Sequence, residues 1–282
     1  MMSVRAKPVS TRQSDLAKMF DQQHGRLQLA AARVARNPSV EAVHAARVAA
    51  RRLRALLDAL GDLEERPEVR RYERDLRAVA LELAAVRQAD VLREVMEATL
   101  ANPEETDVSA KYSLMALLSR NCAVARRQLR AHTRSLAWRE RLERLERSRT
   151  EVQRLLGRIR DQQIAARDMI VNSAHAFWRA RRHAGRDAVR LHRLRIRAKA
   201  HRYVVESLAP FMGLDARHFS TAARGVQQGI GYYLDARIAR KWLQTHAGKL
   251  DKPLVKRTSR RLRSEGRKAL KDAKLGLRSL SR

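Results

Sequence analysis

Four residues in the run from His44 to Arg54 recur, in type and spacing, 148 positions later in the run from His192 to Arg202. In each run a histidine is followed by basic residues three, seven and ten positions on. These are Arg47, Arg51 and Arg54 after His44, and Arg195, Lys199 and Arg202 after His192. Guanidinium and ammonium groups only donate hydrogen bonds, so clustered cations of this kind suit oxyanions. Histidine adds a donor whose charge changes near neutral pH. The two runs therefore read as matched anion-binding surfaces.

Both runs have helical spacing. At 100° per residue the four offsets fall at roughly 0°, 300°, 340° and 280°, inside an arc of about 80°. Leu56, Leu57 and Leu60 follow His44 at offsets of roughly 120°, 220° and 160°, and Val204, Val205 and Leu208 stand at the same offsets from His192. Each helix thus carries a basic face opposite a core face. Cations one turn apart lie about 5–6 Å from each other, a spacing that lets successive phosphates of a linear polyanion meet successive side chains. The bland alternative is a solvated charge stripe. Like-charge neighbours in a helix cost only about 0.2–0.5 kcal/mol per pair, so folding alone does not forbid it. Glu41 and Asp58 near the first face, and Asp187 and Glu206 near the second, are too few to neutralise the cations. The duplication of the whole pattern favours a binding role.

The elements that must carry these faces are helical. Glycine and aromatics are scarce while Ala, Leu, Arg and Glu abound, and no period-2 strand pattern occurs. Breaks near Pro38, Pro67, Pro103, Pro210 and Pro253 predict helices over 12–36, 39–61, 68–101, 108–132, 135–148, 150–183, 187–210, 215–246 and 254–274. The repeat extends past the basic runs. Residues 83–91 align with 230–238 at nearly the same offset, which predicts a duplicated half of about four helices with a seam near 135–150. The expected organisation is an all-α domain over 12–246, its halves covering about 12–148 and 150–246. A basic C-terminal helix or tail follows over 249–282, with 13 Lys/Arg against 3 acids and its last dozen residues frayed.

The chain has 282 residues and a formal net charge of +31, mostly from arginine. Such a charge recruits polyanions, and nucleic acid, polyphosphate and anionic membrane are the candidates. With 44% apolar residues the chain can bury a core. It has no apolar run of spanning length, and its basic N-terminus has no apolar segment after it, so a soluble cytoplasmic protein is expected. The single cysteine, Cys122, reads as a small buried hydrophobe.

Enzymatic chemistry finds no foothold. There is no His-Glu-x-x-His pattern, no Gly-rich phosphate loop, and no serine with a partnered base. Gly225, Gly229 and Gly231 sit inside a helical pattern. No metal, cofactor or catalytic residue is expected. His44 and His192 read as phosphate donors or as anchors at the edge of each face. His24, His132, His175, His183, His201, His218 and His246 lack convergent spacing and read as structural or surface residues, as do Trp138, Trp178 and Trp242. A nucleoid-type nucleic-acid binder using the same faces is the alternative, weakened by sparse aromatics and missing recognition motifs.

At Val43-His44, Arg47-Val48, Arg51-Arg52-Leu53-Arg54 and again at Leu191-His192, Leu194-Arg195-Ile196, Lys199 and Arg202-Tyr203 with Glu206, the chain resembles the CHAD family, the conserved histidine α-helical domains. The resemblance spans roughly 12–246. It implies two pseudo-symmetric four-helix bundles forming one elongated domain with a basic central surface. It also implies non-catalytic binding of inorganic polyphosphate and a location beside polyphosphate granules. The polyphosphate-binding residues it implies are His44, Arg47, Arg51, Arg52, Arg54 and Arg87 in the first half, and His192, Arg195, Lys199 and Arg202 in the second. Family members often carry an Arg-Asp pair in the second helix of each half, where this chain has Arg87-Gln88 and Leu234-Asp235. The family glycine is Ala84 in the first half and Gly231 in the second. No Glu-x-Glu-x-Lys triad occurs, so the metal-dependent triphosphate chemistry of some fused relatives is not implied.

Overall fold

The structure is a computed structural model. It describes residues 15–101, 108–185, 187–213 and 217–279, and for 62, 64, 211, 217–222 and 279 the backbone alone. Residues 12–14 and 215–216 of the expected helices, Pro103, the side chain of His218 and the last three residues lie outside this description. The described residues form ten α-helices and no strand, which makes the domain all-α. They are α1 (Asp15–Arg36), α2 (Val40–Asp58), α3 (Pro67–Glu82), α4 (Ala84–Thr99), α5 (Val108–Thr133), α6 (Leu136–Gly157), α7 (Gln162–Arg182), α8 (Ala188–Leu208), α9 (Arg217–Thr245) and α10 (Lys252–Ser279).

The two basic helices begin alike. Ser39 caps α2 by accepting from the Ala42 amide, and Asp187 caps α8 by accepting from the Arg190 amide. Each cap stands five residues before the motif histidine, so the same register is set at both starts. The buried stripes match as well: Val43, Ala46, Ala50 and Leu56 of α2 stand where α8 has Leu191, Leu194, Ala198 and Val204. One buried position changes character. Leu53 of α2 is fully buried, while its counterpart is His201, whose Nδ1 lies 2.8 Å from Ser173 Oγ. Burial pushes His201 down to about 4, so it is a neutral core residue at physiological pH.

Four apolar clusters hold the helices. One joins α1 to α6, and a second joins α7, α8, α9 and α10. A third ties α4 and α5 to α9 and α10. The fourth sets α1 and α2 against α7 and α8 through Leu16, Leu56, Met169, Tyr203, Val204 and Leu208. α2 and α8 therefore lie side by side at the middle of the protein.

Three sequence expectations are corrected. The helix expected over 68–101 is two helices, broken at Leu83. Its counterpart α9 runs unbroken through the matching position. The expected seam at 135–150 falls inside α6, which runs to Gly157 and packs on α1 and α3; the next break is at Arg158–Asp161. The C-terminal helix expected over 254–274 is α10, but it continues to Ser279 through residues expected to fray, and it buries Leu254, Leu262, Ala273 and Leu277. Its basic composition hid a stripe of apolar and small residues that covers α9.

The α9–α10 contact is close enough to require glycine. A Cβ on Gly229 would lie 2.6 Å from the Ala269 carbonyl oxygen and 2.8 Å from Ala273 Cβ. Helix propensity alone predicts that Gly229→Ala stabilises the protein by about 1 kcal/mol. The clash is with backbone, which cannot swing aside, so overpacking wins and a net loss of about 1–3 kcal/mol is expected. Thermal unfolding measures this, and a raised melting temperature would show that α10 does not press on α9 in solution.

Candidate polyanion-binding site

The juxtaposition of α2 and α8 merges the two basic faces into one. Arg51 of α2 and Lys199 of α8 occupy equivalent repeat positions and meet at the centre, each within electrostatic reach of the other and of Arg195. His44 and Arg87 flank the α2 side, and His192 and Arg195 flank the α8 side. Arg47 completes the cluster beside Arg51 and Arg87. Seven of the ten expected site residues are thus brought together.

The centre of this face is partly buried and short of counter-charge. Among the described residues, neither Arg51 nor Lys199 has an acid within ion-pair distance or a hydrogen-bond partner. Burial, reinforced by Arg195 and Arg51, brings the Lys199 ammonium down to about 7. Arg47 is lowered to about 10 by burial and by Arg51 and Arg87. His44 and His192 are both held below the ordinary histidine value, first by desolvation and then by Arg87 and Arg195 respectively. Every shift has the same origin: partly buried cations crowded against each other.

Two acids enter the face from flanking helices, and sequence reasoning had not placed either of them opposite these cations. Glu94 accepts from Arg87 in a two-pronged pair at 2.8 and 3.2 Å. Asp235 of α9 lies 3.8 Å from Arg195, and burial raises its carboxyl despite Arg195 and Lys199. The signal for Glu94 was its position two turns after Arg87 on one helix face.

The two halves seat their first arginine differently. Arg195 lies flat against the α9 backbone: a Cβ on Gly231 would stand 2.9 Å from its Nε and 3.0 Å from its Nη2. In the first half the matching residue is Ala84, whose Cβ takes that space. There the helix opens at Leu83, and Arg47 Nη1 donates to the Ala80 carbonyl at 2.8 Å. The guanidinium takes over a carbonyl that the break would leave unpaired, at a helix C-terminus that favours positive charge.

Three expected residues stand apart from the central cluster. Arg52 points to the other side of α2, where it donates to Glu206 at 3.1 Å and lies over the Tyr203 ring. Its offset of eight from His44 already put it outside the basic arc. Arg202, at the rim, donates to Glu206 at 2.6 Å and to Gln227 at 3.2 Å. Arg54 lies 3.6 Å from Glu73. Glu206, expected to be too weak to matter, clamps Arg52 and Arg202 together because both reach it from adjacent helices.

The other histidines do not converge. His24 is buried between Tyr72 Oη at 2.8 Å and Glu146 at 2.9 Å, and His246 stacks on Trp242. Among the described residues no group of three or more side chains could hold a metal ion, and no helix is long and apolar enough to cross a membrane. A groove of about 1180 Å³ opens on the far side of α8, where Arg190, Arg193 and Arg197 mix with Asp58 and Asp168. It is separate from the central face and less uniform in charge.

The fold has solved relatives. The crystal structure of the CHAD domain from the plant Ricinus communis superposes with a TM-score of 0.70 at 23% identity, covering 98% of this chain and 96% of that one. PptA from Streptomyces chartreusis superposes with a TM-score of 0.57 at 19% identity, covering 94% of this chain and 96% of its own. No curated protein matches the sequence. The CHAD domain profile matches residues 18–244, a span that holds both basic helices and the flanking α4 and α9, and the chain therefore belongs to the CHAD domain family.

Proposed function

We propose that this protein binds inorganic polyphosphate, without catalysis, across the joined faces of α2 and α8. The observation that carries this reading is the pair Arg51 and Lys199, two partly buried cations from different helices with no acid within ion-pair distance among the described residues, Asp235 acting on Lys199 only from farther away. A folded protein tolerates such a pair when a ligand of opposite charge completes it. The family's association with polyphosphate names the ligand, and the geometry supports a linear one, because cations from both halves lie along one surface. Hydrogen bonds from guanidinium, ammonium and imidazolium to phosphate oxygens supply the affinity, and release of counterions makes it salt-dependent, as in nucleic-acid binding. Nothing in the site offers a device for reading bases.

In this reading the two halves are duplicated units. The cell compartment it fits is the cytoplasm, with polyphosphate granules as the site of action. The exposed cations of α10, among them Lys252, Lys256, Arg260 and Arg267, favour nucleic acid as the rival ligand. Competition separates the two: long-chain polyphosphate should resist displacement by double-stranded DNA at matched phosphate concentration. Efficient displacement would make nucleic acid the ligand.

Charge removal at the centre is the direct test. Arg51→Gln with Lys199→Gln should weaken polyphosphate binding at least tenfold while leaving helicity intact. The pair is preferable to Arg47, whose loss would also unseat the Ala80 carbonyl. The free variant should be more stable than the parent, since mutual repulsion and desolvation are relieved. For Lys199 the folded value of about 7 lies below the ordinary 10.5. Its burden is therefore full below pH 7 and fades as pH rises toward 10.5, so the stabilisation should be largest in acid. Unchanged binding would place the ligand elsewhere on the protein.

Binding should also tighten as pH falls. In the free protein, crowding disfavours the charged forms of Lys199, His44 and His192; a bound polyanion favours them, so binding takes up protons. Between pH 8.5 and 6 the affinity for long-chain polyphosphate should rise by about tenfold, the equivalent of one pKa unit. Titration calorimetry in buffers of different ionisation heat reports the uptake directly, after correction for the chain's terminal phosphates. A flat profile would exclude this coupling.

A further inference from the structure

The central face carries one amine among its described cations; the rest are guanidiniums and imidazoles. Lys199 is also the sole lysine between Lys111 and Lys241 in an arginine-dominated chain, and it stands where the first half has Arg51. The difference is chemical. A guanidinium stays protonated and is a poor nucleophile, whereas an amine that loses its proton attacks acyl carbon.

Every element around Lys199 pushes it toward the neutral form, with one exception. On its own helix it faces Arg195, Arg202 and His192. From α2 it meets Arg51 and His44, and from α9 only Asp235 opposes them. The side chain is partly buried where α8 packs on α2, one helical turn after Arg195, so water stabilises its charge poorly. These surroundings bring it to about 7, where a large share of the amine is neutral at physiological pH. The same guanidiniums attract phosphate groups to the spot.

We propose that Lys199 is an acylation site for acyl phosphates, the phosphate docking on Arg51 and Arg195 and presenting its acyl group to Nζ. The Nζ lone pair attacks the acyl carbon. The bond from that carbon to the phosphate oxygen breaks, inorganic phosphate leaves with the electron pair, and the nitrogen gives its proton to solvent. No oxidation or reduction is involved. The product amide carries no charge and cannot regain one, so acylation takes a cation from the middle of the face and weakens its hold on polyanions. The docking step rests on the phosphate-binding reading above; the reactivity of the amine does not.

The test is site-resolved acetylation of the full-length protein by acetyl phosphate, read by peptide mass spectrometry. The exposed lysines of α10, Lys252, Lys256, Lys268 and Lys271, serve as internal references. At pH 7.5 Lys199 should be acetylated at least tenfold faster than these, and the advantage should shrink at pH 10 as the reference amines also become neutral. Rates no faster than the references overturn the proposal. Acetic anhydride, which has no phosphate, should show a smaller preference for Lys199 than acetyl phosphate does; an equal preference overturns the docking step. Long-chain polyphosphate should protect Lys199. If polyphosphate binds and Lys199 is not preferentially labelled, this inference fails while the binding reading stands. If Lys199 is labelled preferentially and polyphosphate does not protect it, the reactivity stands and the binding reading fails.

Discussion

The structure depends on holding two cationic helices side by side against their mutual repulsion. Unit charges about 6 Å apart repel by roughly 3 kcal/mol at the effective dielectric of a protein surface. Crowding Arg47, Arg51, Arg195 and Lys199 into one region therefore requires an attraction that is not electrostatic. It comes from the apolar cluster beneath the face, in which α1 and α7 close around the contact of α2 and α8. Each fully buried large aliphatic side chain contributes about 1.5–3 kcal/mol, so Leu16, Leu56, Val204 and Leu208 outweigh several repulsive pairs. Because apolar burial rather than counter-ions balances the repulsion, the cations stay available.

The same constraint explains where the two halves differ. Each half must seat an arginine against a flanking helix without losing backbone hydrogen bonds. Gly231 solves this by omission, letting Arg195 lie on an unbroken α9. Ala84 cannot, and the first half opens its helix at Leu83 and turns Arg47 into a cap. The repeat keeps the positions of the cations while the backbone around them diverges. A second departure is His201 in place of Leu53, where a neutral imidazole bonded to Ser173 stands in for a core leucine.

Much of this was legible in the residue pattern. The repeat carries both the basic arc and the apolar offsets, so the helical class and the pairing of the two faces could be read without coordinates. What could not be read depends on partners far away in the chain. The break at Leu83 arises from competition between Ala84 and an arginine more than thirty residues earlier. Glu206 is one acid near one motif in sequence, yet it serves arginines from both helices because α2 and α8 touch. The C-terminal helix is expected, but not its full length or its close packing on α9: its eleven basic residues between Lys252 and Arg278 overwhelm a stripe in which glycine and alanine make the close contacts.

The distribution of acids around the face determines which cations matter most. At its edges Arg87 is paired with Glu94, Arg195 faces Asp235, Arg202 is held by Glu206 and Arg54 approaches Glu73. These pairs hold their side chains in place, and a ligand at the rim must compete with a carboxylate already there. At the centre, among the described residues, Arg51 and Lys199 have no carboxylate within ion-pair distance, and Asp235 reaches Lys199 only from farther away. An incoming anion gains most there, since it replaces no existing ion pair and relieves the repulsion between them. The gain from binding should therefore fall away from the middle outward, so a short anion would occupy the centre first and a longer chain would extend from it along both helices. In the proposed polyanion-binding role, the repeat's central position therefore carries more weight than the histidines that head each motif.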